Sequence, residues 1–201
     1  MTLQRITGAM VSDSTLTGAD IQDEAMTGAD IQDGSVGASD LQAGATVISR
    51  DTGKATTSGV AVEFTGIPSW ARRVTLLVNG ISTNGTSDIL VQLGTGGTPT
   101  TSGYVGNAVF SWASGIVPVS STAGIPIFNN AASYTHYGEL AFTNIAGNTW
   151  LASGQFVSSG TAGAIVSGGV VTLAGALNYL RVVSANGTAA FDAGQINLLY
   201  E

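Results

Sequence analysis

Apolar residues recur at an interval of five through the first part of the chain: Ile6, Val11, Leu16, Ile21, Met26, Ile31, Val36 and Leu41. An α-helix turns through about 500° in five residues, so successive apolar groups rotate by about 140° and form no stripe. A flat strand places odd-spaced residues on opposite faces. Gly8, Gly18, Gly28, Gly34, Gly37 and Gly44 weigh further against a helix. The spacing instead predicts a chain that bends at every unit and turns each apolar residue inward. TGADIQDE, starting at Thr17, returns ten positions later as TGADIQDG, so the full repeat is ten residues. Those eight apolar side chains return far less free energy than ordering the whole segment costs. The segment is therefore expected to complete its burial against sister copies or another protein, as repeat stacks generally do.

From Asp51 onward the period changes to two. Val60, Val62 and Phe64 alternate with Ala61, Glu63 and Thr65; Val74, Leu76 and Val78 follow, then Ile89, Val91 and Leu93. Leu140 with Phe142, Trp150 with Ala152, Gly154 and Phe156, Leu180 with Val182, and Ile196 with Leu198 and Tyr200 continue the pattern. Period two marks half-buried strands. Asn79-Gly80, Asn84-Gly85 and Asn186-Gly187 read as hairpin-type turns. Pro68, Pro99, Pro118 and Pro126 mark loops or strand ends. No helix is predicted. The expected fold is all-β: a repeat arm over residues 1–50, β-helix-like or an extended stalk, then an antiparallel β-sandwich or jelly roll of about eight to ten strands over residues 51–201.

The units Ala19-Asp20-Ile21-Gln22-Asp23, Ala29-Asp30-Ile31-Gln32-Asp33 and Ser39-Asp40-Leu41-Gln42-Ala43 resemble those of the pentapeptide-repeat β-helices. Ten-residue runs rich in Thr, Ala and Asp also resemble the stalks and attachment arms of tailed-phage structural proteins. In the body, EFTGIPSWARRVTLLVNGISTNGTSDILVQLG and TAAFDAGQINLLY resemble a domain of bacteriophage tail-fibre and virion-decoration proteins. That resemblance spans most of residues 55–201 and brings no catalytic motif. It implies a virion setting, a homotrimer, attachment to other virion proteins, tail or capsid, through residues 1–50, and an exposed knob that touches a host-surface glycan.

Composition agrees with a turn-rich β protein. Charged residues make up 9% of the chain, against about a quarter in an average domain, and Gly numbers 28. The net charge of −7 is uneven: residues 1–51 hold eight acids and two bases, residues 52–201 five acids and four bases. A neutral body with an acidic arm offers no basic footprint for nucleic acid. The chain has no cysteine, which excludes disulfides and thiolate metal sites. Neither a signal-like apolar run at the start nor an 18-residue apolar stretch occurs, so synthesis in a host cytoplasm without membrane insertion is expected.

Candidate chemistry is sparse. His136, the single histidine, lies in Ser133-Tyr134-Thr135-His136-Tyr137, read as an aromatic-polar loop. No G-x-S-x-G elbow accompanies it, so a structural or surface role is expected. The pairs Asp20/Asp23 and Asp30/Asp33 lack the calcium-loop pattern and fit bend-capping acids. Gly94-Thr95-Gly96-Gly97 lacks the lysine of a phosphate loop. Neither cofactor nor metal is expected. Among the aromatics, Trp150 reads as core and Trp70 as a strand entry, while Tyr104, Trp112, Tyr134 and Tyr137 form the candidate glycan contact. The expectation is a non-enzymatic virion protein, a short trimeric fibre. A capsid decoration or cement protein is the alternative. A carbohydrate depolymerase would need an acidic pair in a groove, for which Glu63, Asp88, Glu139 and Asp192 show no motif.

Overall fold

The computed structural model describes residues 48–160 and 162–201. The arm side chains Ile6, Val11, Leu16, Ile21, Met26, Ile31, Val36 and Leu41 lie outside the described residues.

The body is an all-β protein of two antiparallel sheets, consistent with a sandwich. The strands are β1 (Ser49–Arg50), β2 (Lys54–Ala55), β3 (Ala61–Thr65), β4 (Arg73–Thr83), β5 (Ile89–Thr95), β6 (Thr98–Pro99) and β7 (Val105–Trp112). They continue with β8 (Gly115–Ser121), β9 (Ile125–Ile127), β10 (Thr135–Ala146), β11 (Thr149–Ser159), β12 (Gly163–Thr172), β13 (Tyr179–Ser184) and β14 (Phe191–Tyr200). The larger sheet runs β1-β14-β4-β10-β11-β12-β7-β8, with β2 also on β14; the smaller runs β3-β13-β5-β6, with β9 on β5. Fourteen strands exceed the expected number because short edge strands and glycine-rich hairpins leave little alternation to read.

The two-residue period does what it predicts. Val74, Leu76 and Val78 of β4, Leu140 and Phe142 of β10, and Trp150 and Phe156 of β11 point inward and are buried. They join a core that also holds Phe64, Ile89, Val91, Leu93, Leu180 and Val182 of the smaller sheet. Each such side chain contributes about 1.5–3 kcal/mol on burial. Pro99, Pro118 and Pro126 fall on β6, β8 and β9, at sheet edges, where the missing N–H removes no central ladder bond.

Three local readings are corrected. Asn79-Gly80 is not a turn: β4 runs straight through it. Gly80 takes φ +70°, and the register with β10 jumps from Tyr137↔Asn79 to His136↔Ile81 across it. It is the extra residue of a β-bulge, and a glycine suits the left-handed backbone there. Asn84-Gly85 is a bend and Asn186-Gly187 a hydrogen-bonded turn, Gly187 N donating to the Ser184 carbonyl at 3.0 Å, but both carry the chain from one sheet to the other rather than closing hairpins. His136 and Tyr137 belong to β10, not to a loop.

Candidate interaction surface

The four aromatics singled out for glycan contact do not come together. Tyr104 is 2% exposed, and its hydroxyl clasps β5. It accepts from the Leu93 amide at 2.7 Å and donates to the Leu93 carbonyl at 3.2 Å. Burial pushes its pKa up to about 12. Tyr134 is also buried, beside Phe110, which stacks on Phe128 at 4.7 Å. Both tyrosines are core residues, because each ring fills space between the sheets; they leave the surface set. Trp112 and Tyr137 keep about two fifths of their surface exposed. Trp112 continues the inward row of β7, 5.7 Å from Phe110. Tyr137 stands on the outer face of β10, its ring lying over Gly80. The pair occupies opposite faces with two strands between.

His136 is buried at the heart of a polar cluster. Asn129 Nδ2 donates to the carbonyls of Gly85 and Ser87 at 3.2 and 3.1 Å, and Asn129 N donates to Asp88 Oδ1 at 2.8 Å. That leaves Asn129 Oδ1 to accept from His136 Nε2 at 3.2 Å. The Nδ1 atom of His136 is buried without a partner. Burial lowers the imidazole pKa to about 4, so the ring is neutral near pH 7. Burial also raises the Asp88 pKa. The cluster ties the β4–β5 connection to β10. Glu63 and Glu139 lie on different sheets, and Asp192 receives a hydrogen bond from Ser82.

What the body does present is a bare sheet face. On β10 to β8 the outward side chains fall into rows across the strands. Leu151, Val170 and Val105 are paired in register, as are Gln155, Val166, Val109 and Pro118, and Tyr137, Val157, Ala164, Ser111 and Ile116. The row between the first two is small and polar: Ala141, Ser153, Gly168, Asn107 and Ser120. Gly168 has no side chain, and the sheet dips there into a depression of about 560 Å³ walled by Val105, Val109, Leu151, Val166 and Val170. Val105, Val109, Ile116, Leu151, Val157 and Val166 are between 37% and 69% exposed. Glu139, at the β10 margin, is the only charged side chain between Asp88 and Arg181 in the sequence.

Neighbouring surfaces differ. On the β14–β4 side of the same sheet, Arg50, Asn79, Gln195 and Asn197, with Leu77 among them, line a mixed groove of about 330 Å³. Across the smaller sheet, Arg181 sits in register with Glu63 and Gln92. Its Nε and guanidinium nitrogen donate to Gln92 Oε1 at 2.9 and 2.7 Å, and Gln92 Nε2 donates to the Ala123 carbonyl at 2.7 Å.

The bare face was missed at the level of single residues, since Val109 and Val166 sit beside inward Phe110 and Ile165 and blur the alternation. The signal that could have found it is the long stretch with one charge. Compared with protein-family models, curated proteins and solved structures, the chain matches none.

Proposed function

We propose that this chain is a structural protein of a tailed-bacteriophage virion. In this reading it is a short homotrimeric fibre, made in the host cytoplasm and carried on the particle. Residues 1–50 attach it to other virion proteins, and residues 51–201 form a jelly-roll knob that acts by contact rather than catalysis. The observation that carries the reading is the junction of an acidic ten-residue repeat with a nearly neutral all-β body.

Strand order supports the jelly-roll assignment. The order β2-β14-β4-β10 in one sheet and β3-β13-β5-β9 in the other sends the chain back and forth between sheets, as two Greek keys do. Two hairpins, β7–β8 and β11–β12, are inserted into that frame and extend the larger sheet beyond β10. Jelly rolls host unrelated functions, so the fold is compatible with the virion setting and does not select it.

The test is to tag the chain in an infection and locate it on purified particles by immunogold labelling. Label on the tail is the expected result, and deletion of residues 1–45 is expected to leave the protein off the particle. Label over the head would make it a decoration protein instead. A truncated protein still bound to particles, or a tag found only in the unassembled fraction, would contradict the reading.

A further inference from the structure

The bare face carries a depression, and the same chain carries an exposed isoleucine two strands away. The depression over Gly168 is walled mainly by aliphatic side chains, with Asn107, Ser153 and Gln155 among them. Ile116, on edge strand β8, is 69% exposed, the most exposed large apolar side chain among the described residues. We infer that the β8 edge of one copy docks by Ile116 into the Gly168 depression of a second copy of this chain, so that the β11-β12-β7 face is a subunit interface. This rests on the trimeric reading above and adds its contact surface.

Three observations favour a second copy over other occupants. First, charge: the chain carries −7 overall, so copies repel wherever charged surfaces meet. The stretch from Asp88 to Arg181 holds only Glu139 between its ends, so its surface lets two copies approach with almost no like-charge contact. A strongly charged partner would find nothing to pair with there.

Second, area. The receiving strands β11, β12 and β7, about 4.8 Å apart with about eight to eleven residues each at about 3.4 Å, give a plane of roughly 400–500 Å². An exposed apolar patch of several hundred Å² marks an interaction site, and the flanking β8 and β10 rows add to what a second copy can cover.

Third, symmetry. A threefold ring needs a heterologous contact, in which a protrusion on one surface meets a depression elsewhere on the same molecule. Ile116 stands in the outward row of β8, two strands from the Gly168 depression, so the two are apart on one molecule and can meet between copies arranged about an axis. The proline on β8, Pro118, blocks unlimited edge-to-edge strand pairing, and pairing at that edge would leave the outward Ile116 uncovered.

The chain has no cysteine, so a single reporter thiol can test this in the full-length protein. Val166→Cys places a thiol on the wall of the depression, and Thr188→Cys, in a separate variant, places one on an exposed turn as a control. Thiol-labelling rates are measured beside the molar mass by light scattering. The expected result is an oligomer in which the depression thiol labels about tenfold more slowly than the control thiol, the factor to which about 1.4 kcal/mol corresponds. Ile116 and Val166 lie two strands and two residues apart by register, so in the same chain they do not touch. Adding Ile116→Glu to Val166→Cys is therefore expected to restore fast labelling through the neighbouring copy.

An oligomer whose depression thiol labels as fast as the control overturns the interface while leaving the trimer standing. A single-chain mass with fast labelling overturns both. A single-chain mass with slow labelling assigns the face to another segment of the same chain and overturns the proposal as well. If Ile116→Glu lowers solubility, Ile116→Ser serves the same purpose, with the same outcomes deciding.

Discussion

The outer face of the larger sheet changes character at β10. On the β14–β4 side it bears Arg50, Asn79, Gln195 and Asn197, amides and a guanidinium that water solvates well, around half-buried Leu77 and Leu199. On the β11-β12-β7-β8 side it bears valine, leucine, isoleucine, serine and glycine. Both halves cover the same core from behind, so folding does not demand the difference. Their place in the chain does differ: the polar half belongs to β14 and β4, strands whose chain neighbours lie in the smaller sheet, and the bare half comes from the two local hairpins β11–β12 and β7–β8. A pair of hairpins that extends a sheet and leaves its outer face free of charge is what the proposed contact between copies would use.

The largest expected effect shows that the two faces of one hairpin serve different ends. Phe110→Ala removes a fully buried ring stacked on Phe128, and is expected to lower unfolding stability by about 3–5 kcal/mol in urea titrations. The adjacent outward change, Val109→Ala, is expected to cost the folded chain no more than about 0.5 kcal/mol, and to show its effect in association instead. Equal losses at the two positions would erase the distinction between inward and outward faces.

His136 gives the next effect. Its folded pKa of about 4 lies below the ordinary 6.5, because burial disfavours the charged ring. Between those values the unfolded chain binds more protons than the folded one. Stability is therefore complete above about pH 6.5, falls as pH drops towards 4, and levels off below, a loss of about 3 kcal/mol at 1.36 kcal/mol per unit. Asp88, whose pKa burial raises, contributes the opposite slope. Subtracting the pH profile of His136→Gln isolates the histidine, and a variant that keeps the full slope would contradict the assignment.

The smaller sheet supplies the weaker test. Arg181→Leu leaves Gln92 Oε1 buried without its two donors. The expected cost is about 1–3 kcal/mol, with no change in association. A loss of association in Arg181→Leu would move the interface away from β12.

Much of the body was legible because alternation is a direct consequence of strand geometry. The rows Val74-Leu76-Val78 and Leu140-Phe142 could be read as inward-facing without a structure. Asn79-Gly80 misled because glycine after asparagine serves a bulge as well as a turn, and only the pairing partner tells them apart. The glycan set failed at Tyr104 and Tyr134 because a tyrosine near a loop can turn its ring inward when its hydroxyl finds backbone partners, as Tyr104 does on Leu93. The bare face was hidden because hairpins that bury one side and carry valine, leucine and isoleucine on the other are apolar at both parities. Residue-by-residue periodicity averages that to nothing, while charge depletion over the whole stretch preserves it.

One measurement bears most directly on the claim that this chain works as an assembly of copies: the molar mass of the full-length protein by light scattering across a dilution series. The account predicts three times the 20.1 kDa of one chain at the higher concentrations. A mass of one chain at every concentration would contradict it.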